Sequence, residues 1–313
     1  MFRSKFVNFH VGPEGTNFTV HAQPLAMLSG TLNTLINGNM VEAKTGVINW
    51  KDTDEETFIR FCEFAYVQNY TPPMFSECTD KEELKQAETL DFSTFNFSSK
   101  KDKKKTRWLP EESENPPETR RLTKSKLNNH FSKSNYPPPS SSLSFCQQFE
   151  PVSNTSPNRD FTPVLVGHAR LYVLADKYDV RELKNLVLHK LYNTLEKFTL
   201  HKARITDVME LVRFAYENTP PSSQPGASAV FQNEAITGLD LDWTTKSTSS
   251  DKHNASNHKE KRVDGMRKLV TDFVVSNLTV VAESDAFLDL LQNGGDFVRD
   301  FWTVMWNSDA WIA

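Results

Sequence analysis

The sequence predicts an α+β fold in which a small sheet is flanked by helices, interrupted by a long polar insert and followed by a mainly α-helical C-terminal region. Three observations carry this expectation. Near the start, Phe6, Asn8 and His10 alternate with Val7, Phe9 and Val11, the two-residue period of a strand. At 168–191 the chain reads HARLYVLADKYDVRELKNLVLHKL, two apolar stripes of helical period hinged at Tyr178-Asp179-Val180. Between them, from about 76 to 163, the chain is rich in Ser, Thr, Pro, Asn and Lys and holds no sustained period.

Taken in order, the first strand turns at Gly12-Pro13-Glu14-Gly15 into a second at Asn17 to Val20, giving a hairpin with apolar residues on both faces. His21 to Leu28 and Thr31 to Ile36 read as short helices, the second capped by Ser29 and stopped by Gly38. Thr45 to Trp50 is a third strand. Asp54 then caps a helix through Phe58, Phe61, Cys62 and Ala65 that ends at Asn69-Tyr70-Thr71-Pro72-Pro73. The polar insert over 76–163 buries too little apolar surface to offset the roughly 1–2 kcal/mol per residue of backbone ordering, and is expected to be disordered. Leu171, Leu174, Ala175 and Tyr178, then Val180, Leu183, Val187 and Leu191, form the helical pair that closes the first domain at 164–200.

Over 201–313, Asp207 with Glu210 reads as a reciprocal cap on a helix that turns Val208, Leu211, Val212 and Ala215 inward. A second polar insert follows at about 222–262. Three more amphipathic helices hold Met266 to Phe273, Ala286 to Leu291, and Phe297 to Met305. The aromatic end formed by Phe297, Phe301, Trp302, Met305, Trp306 and Trp311 is expected to pack into the core. A partner-binding helix is its second use, and membrane insertion a distant third.

Composition narrows the function. With 36 basic and 40 acidic residues the formal charge is −4, so no global field draws the chain to nucleic acid or an anionic membrane. Three unpaired cysteines give neither a disulfide framework nor a zinc site, and no leader or apolar span of membrane length is visible. The expectation is an intracellular chain, cytoplasmic, nuclear or both. His21, His168, His189, His201, His253 and His258 fall in no metal-ligand or catalytic spacing, and eleven glycines form no phosphate-cradling loop. No enzyme activity, metal or cofactor is expected.

Together these residues resemble a BTB/POZ domain of the fungal type, with a long insert and a helical C-terminal region. The likeness rests on FTVHAQPLAMLS at 18–29, DTDEETFIRFCEFAYVQNY at 52–70 and LYVLADKYDVRELKNLVLHKL at 171–191, in that order. It places the insert in a surface loop of one domain, tolerable because closure entropy grows only logarithmically with loop length.

The resemblance implies a protein–protein interaction module, with an adaptor role in recruiting a partner to a cullin-based ubiquitin ligase. In recruiting members an apolar-x-Glu pattern lies in the loop after the second helix, the place held here by Met40-Val41-Glu42. Many members open with Ser-Asp, whereas this chain has Ser4-Lys5-Phe6, and that reversed charge weighs against family-like homodimerisation. The alternative is a nuclear regulatory or scaffold protein whose basic patch, Lys100, Lys101, Lys103, Lys104, Lys105 and Arg107, directs import or touches nucleic acid. The plainer use of that patch is to keep the insert soluble, since only Trp108 offers a stacking ring nearby.

Overall fold

The structure is a computed structural model that describes residues 4–77, 121–122, 131–139, 150, 153–221, 263–293, 295–307 and 311–312. The expected disorder over 78–120, 123–130, 140–149, 151–152 and 222–262 lies outside the described residues.

Strand β1 (Phe6–Val11) pairs antiparallel with β2 (Thr16–His21), and parallel with β3 (Val47–Trp50), in the order β2-β1-β3. Gly12 and Gly15 both take positive φ, 75° and 71°, which lets the hairpin close on itself without a Cβ penalty. Alternation then sends Val7, Phe9 and Val11 into the core and leaves Phe6 exposed.

Between β2 and β3 run three short helices, α1 (Ala22–Ala26), α2 (Gly30–Asn37) and α3 (Val41–Thr45). The Ser29 hydroxyl accepts from the Leu32 amide at 3.1 Å, as its N-cap position requires. Helix α4 (Glu55–Val67) is capped by Asp54, which accepts from the amide and the hydroxyl of Thr57. Its apolar stripe, Phe58, Phe61 and Phe64, is fully buried. Phe58 and Phe61 meet Trp50 edge-on, and Phe9 joins the same cluster at 5.0 Å from Trp50.

The chain leaves this block through β4 (Ser76–Glu77), which pairs antiparallel with β6 (Arg159–Asp160); the two-residue β5 (Arg121–Leu122) pairs with β7 (Trp311–Ile312). Departure and return of the first insert are thus zipped at Ser76↔Asp160 and Glu77↔Arg159. Phe75 stacks on Phe161 directly inside that stem, and Arg159 lies over the Phe75 ring.

Helices α5 (Thr162–Lys177) and α6 (Arg181–Glu196) form the expected pair. Asp179 sits at the hinge with φ 52°, a left-handed conformation that Asp tolerates better than most residues. Tyr178 stacks on Trp50 at 4.5 Å, joining the pair to the sheet. Gly167 in α5 has a separate reason: a Cβ there would lie 2.8 Å from the Pro73 ring.

Helix α7 (Ile205–Asn218) packs on α5, and the C-terminal region adds α8 (Gly265–Ser276), α9 (Leu278–Val281), α10 (Asp285–Gln292) and α11 (Asp296–Asn307). Arg267, almost fully buried, donates to Thr219, to the Tyr216 carbonyl and to Asp296, which holds both ends of the second insert to the fold. Asp264 caps α8 and also accepts from the Tyr172 hydroxyl at 2.9 Å.

Three expectations need correction. Asp207 does not cap its own helix: it is buried and accepts from the Phe161 amide at 2.9 Å, so it caps the entry to α5 instead, while Glu210 pairs with Arg213 at the surface. The aromatic end splits, with Phe297, Phe301 and Met305 buried but Trp302 and Trp306 exposed, because helical spacing sets these two on the outer face. Within the stretch expected to be wholly disordered, residues 131–139 and 153–161 pack, burying Phe131 and Phe161 and bonding the Asn154 side chain to Thr199 in both directions.

Gly167→Ala would ordinarily favour a helix, but here the clash with Pro73 is expected to cost about 1–3 kcal/mol in urea unfolding. Burial pushes the Asp207 carboxyl from 3.8 up to about 6, against the stabilising Phe161 amide and Arg204. Between those values the folded chain holds a proton that the unfolded chain has released. This contribution to stability is therefore full below about pH 4 and lost as pH rises through about 6, and Asp207→Asn flattens that slope in denaturation measured from pH 4 to 7.

Candidate functional site

Met40-Val41-Glu42 is not a loop but the start of α3. Met40 is its N-cap, Lys44 and Gly46 amides bond back to the Met40 and Glu42 carbonyls, and the Thr45 hydroxyl bonds to the Val41 carbonyl. Gly46, at φ 71°, ends the helix and turns the chain into β3, which is why that strand starts at Val47 rather than Thr45. The backbone is fixed from both sides while the side chains face outward. Met40 is 54% and Val41 71% exposed, and Glu42 stands half-buried in the first turn, where the helix end favours a carboxylate. The structure therefore brings the three residues together as one surface.

Lys5 is engaged within the chain. Its ammonium donates to the Ile36 carbonyl at 3.0 Å, at the C-terminal end of α2, where a cation suits the helix dipole. Lys5 also lines a cleft of about 470 Å³ with Ala22, Ala26, Met27, Asn33 and Asn37.

A second surface was not read from the sequence. Phe18 and Val20 of β2, with Ile59, Cys62, Tyr66 and Val67 of α4, line an apolar groove of about 400 Å³. Ile59 and Val67 are partly exposed beside it. The signal that marks it is the second stripe on α4, Ile59, Cys62 and Tyr66, offset from the buried phenylalanines. Burial, with the neighbouring Glu63 carboxylate adding to it, pushes the Cys62 thiol up to about 12, so this sulfur is not a thiolate at neutral pH.

The histidines are held by packing contacts. His21 precedes α1 and meets the Tyr66 hydroxyl at 3.0 Å through both its amide and Nδ1. His168 is wholly buried, its Nδ1 2.7 Å from the Tyr70 hydroxyl, and burial followed by Lys190 and Arg60 lowers its pKa to about 3. It is neutral at physiological pH. Lys190 completes this node: its ammonium donates to the Tyr70 carbonyl at 2.6 Å and lies 4.3 Å over the Tyr70 ring. His189 and His201 are apart from it, and His253, His258 and the basic patch from Lys100 to Arg107 lie outside the described residues.

The chain matches no family model, no curated protein and no solved structure. Among the described residues, no helix is long and apolar enough to cross a membrane, and no cluster of three or more His, Cys, Asp or Glu is placed to hold a metal ion.

Burial pushes the Lys190 ammonium from 10.5 down to about 7, with Glu63 and Glu150 pulling the other way. The unfolded chain thus holds this proton up to about pH 10 while the folded chain releases it near 7, so the group's contribution to stability grows across that window. Lys190→Met removes the titration, and the stability difference between wild type and variant is expected to change steadily from pH 7 to 10 in chemical denaturation.

Proposed function

We propose that this chain is a protein–protein interaction module of the BTB/POZ kind, and that Met40, Val41 and Glu42 form its contact with a cullin scaffold, making it an adaptor for a ubiquitin ligase. The observation that carries the reading is the outward presentation of Met40 and Val41 on a helical turn whose backbone is fixed by Gly46 and Thr45. Two exposed apolar side chains beside a carboxylate have no role in the chain's own core. A flexible Met fills an irregular partner pocket, and the neighbouring carboxylate selects a cationic partner residue.

The order of elements supports the same reading: a hairpin, three short helices, a parallel third strand, an acidic-capped helix and a closing helical pair. Lys5 is occupied at the end of α2, so the proposal requires no homodimer. No chemistry is assigned to the chain. Its one described thiol is held protonated and the His168 ring is closed in the core.

Calorimetric titration into the N-terminal domain of a cullin scaffold is expected to give saturable binding at micromolar Kd or tighter. Met40→Ala with Glu42→Ala is expected to weaken it at least about tenfold, or ~1.4 kcal/mol, without changing the circular dichroism. A folded wild-type chain that gives no heat of binding overturns the adaptor role.

A further inference from the structure

Residues 131–139, FSKSNYPPP, lie across the groove between α6 and α8 in the manner of a bound peptide. The Phe131 ring is 4% exposed and wedged between Tyr192 of α6, at 5.0 Å, and Phe273 of α8, at 5.2 Å. The Tyr136 ring also packs against Tyr192, at 5.4 Å. Main-chain groups are held by the groove: the Phe131 amide donates to the Ser276 hydroxyl, the Ser132 carbonyl accepts from Tyr192, and the Tyr136 carbonyl accepts from His189 Nδ1 at 2.6 Å. Ser132, Lys133 and Asn135 point to solvent, and Ser134 touches Asp272 at 3.4 Å. The groove therefore reads an aromatic pair five residues apart and little else, the division of labour of peptide recognition.

One mismatch suggests that the site was not built for this occupant alone. The Tyr136 hydroxyl is buried with no hydrogen-bond partner among the described residues, so it gives up its water for nothing in return. A phenylalanine there would fit better.

We propose that the α6–α8 groove is a docking site for a protein segment carrying Phe-x-x-x-x-Phe, and that residues 131–139 are a tethered occupant holding it closed until such a partner displaces them. Tethering gives the chain's own segment an effective concentration on the order of mM, enough to mask the groove from weak ligands and yield to a better one. The inference is independent of the contact proposed at Met40 to Glu42.

The probe is a fluorescent peptide of residues 130–139, alone and with Tyr136→Phe or Phe131→Ala, titrated by anisotropy into the full chain. Phe131→Ala in the protein frees the groove, and Ser134→Glu, which sets a second carboxylate against Asp272, loosens the segment without leaving a cavity. Both variants are expected to bind the peptide at least about tenfold tighter than the wild-type chain. The Tyr136→Phe peptide is expected to bind tighter still, and the Phe131→Ala peptide not at all. Equal binding to wild type and variants, or none to a folded variant, overturns the proposal. So does loss of folding in both, because residues 131–139 would then be a core element rather than a displaceable ligand.

Discussion

Tyr70 is the point on which the two halves of this fold depend. It stands at the end of the first folded block, yet its partners come from beyond the insert: His168 on α5 against its hydroxyl, Lys190 on α6 against its carbonyl and its ring. Burying a Lys and a His in one place is costly unless each polar group is answered. Here the Tyr70 hydroxyl, its ring and its carbonyl answer most of them, and the arrangement exists only when residues 70, 168 and 190 are together. The stacking of Trp50 on Tyr178 and the fit of Gly167 against Pro73 reinforce the same seam with apolar contact.

Once that seam is fixed, the long excursion between the halves becomes tolerable. The β4–β6 ladder and the Phe75–Phe161 stack bring the chain back to where it left, so the loop-closure cost is met by a stem of a few residues. The second insert is treated in the same way by Arg267, which reaches back to Tyr216 and Thr219 before it. Both excursions thus leave the helical framework in register. Docking of 131–139 on α6 and α8 returns part of the first insert to that framework, tying it to the C-terminal helices.

Surfaces are separated from this core by periodicity. On α4, one stripe of aromatic residues closes on Trp50 while the adjacent one lines the groove beside β2. On α11, Phe297, Phe301 and Met305 turn in and Trp302 and Trp306 turn out. At α3 the helix is too short to bury any of its residues, so Met40 and Val41 are left for solvent or a partner.

The sequence by itself determined the local elements, because their causes are local. The two-residue alternation of β1, the Ser29 and Asp54 caps, the glycine turns and the hinge at Asp179 all act over a few residues. Met40 to Glu42 were singled out through the resemblance alone, and their helical turn was not legible, since five residues are too few for a period to show. What only the tertiary structure decided are the contacts between residues far apart in the chain: Asp207 capping α5 instead of its own helix, Lys5 closing the end of α2, Lys190 and His168 meeting at Tyr70, and Phe131 entering the α6–α8 groove. A carboxylate or ammonium satisfies whichever amide or carbonyl the fold brings within reach, and periodicity carries no record of that distance.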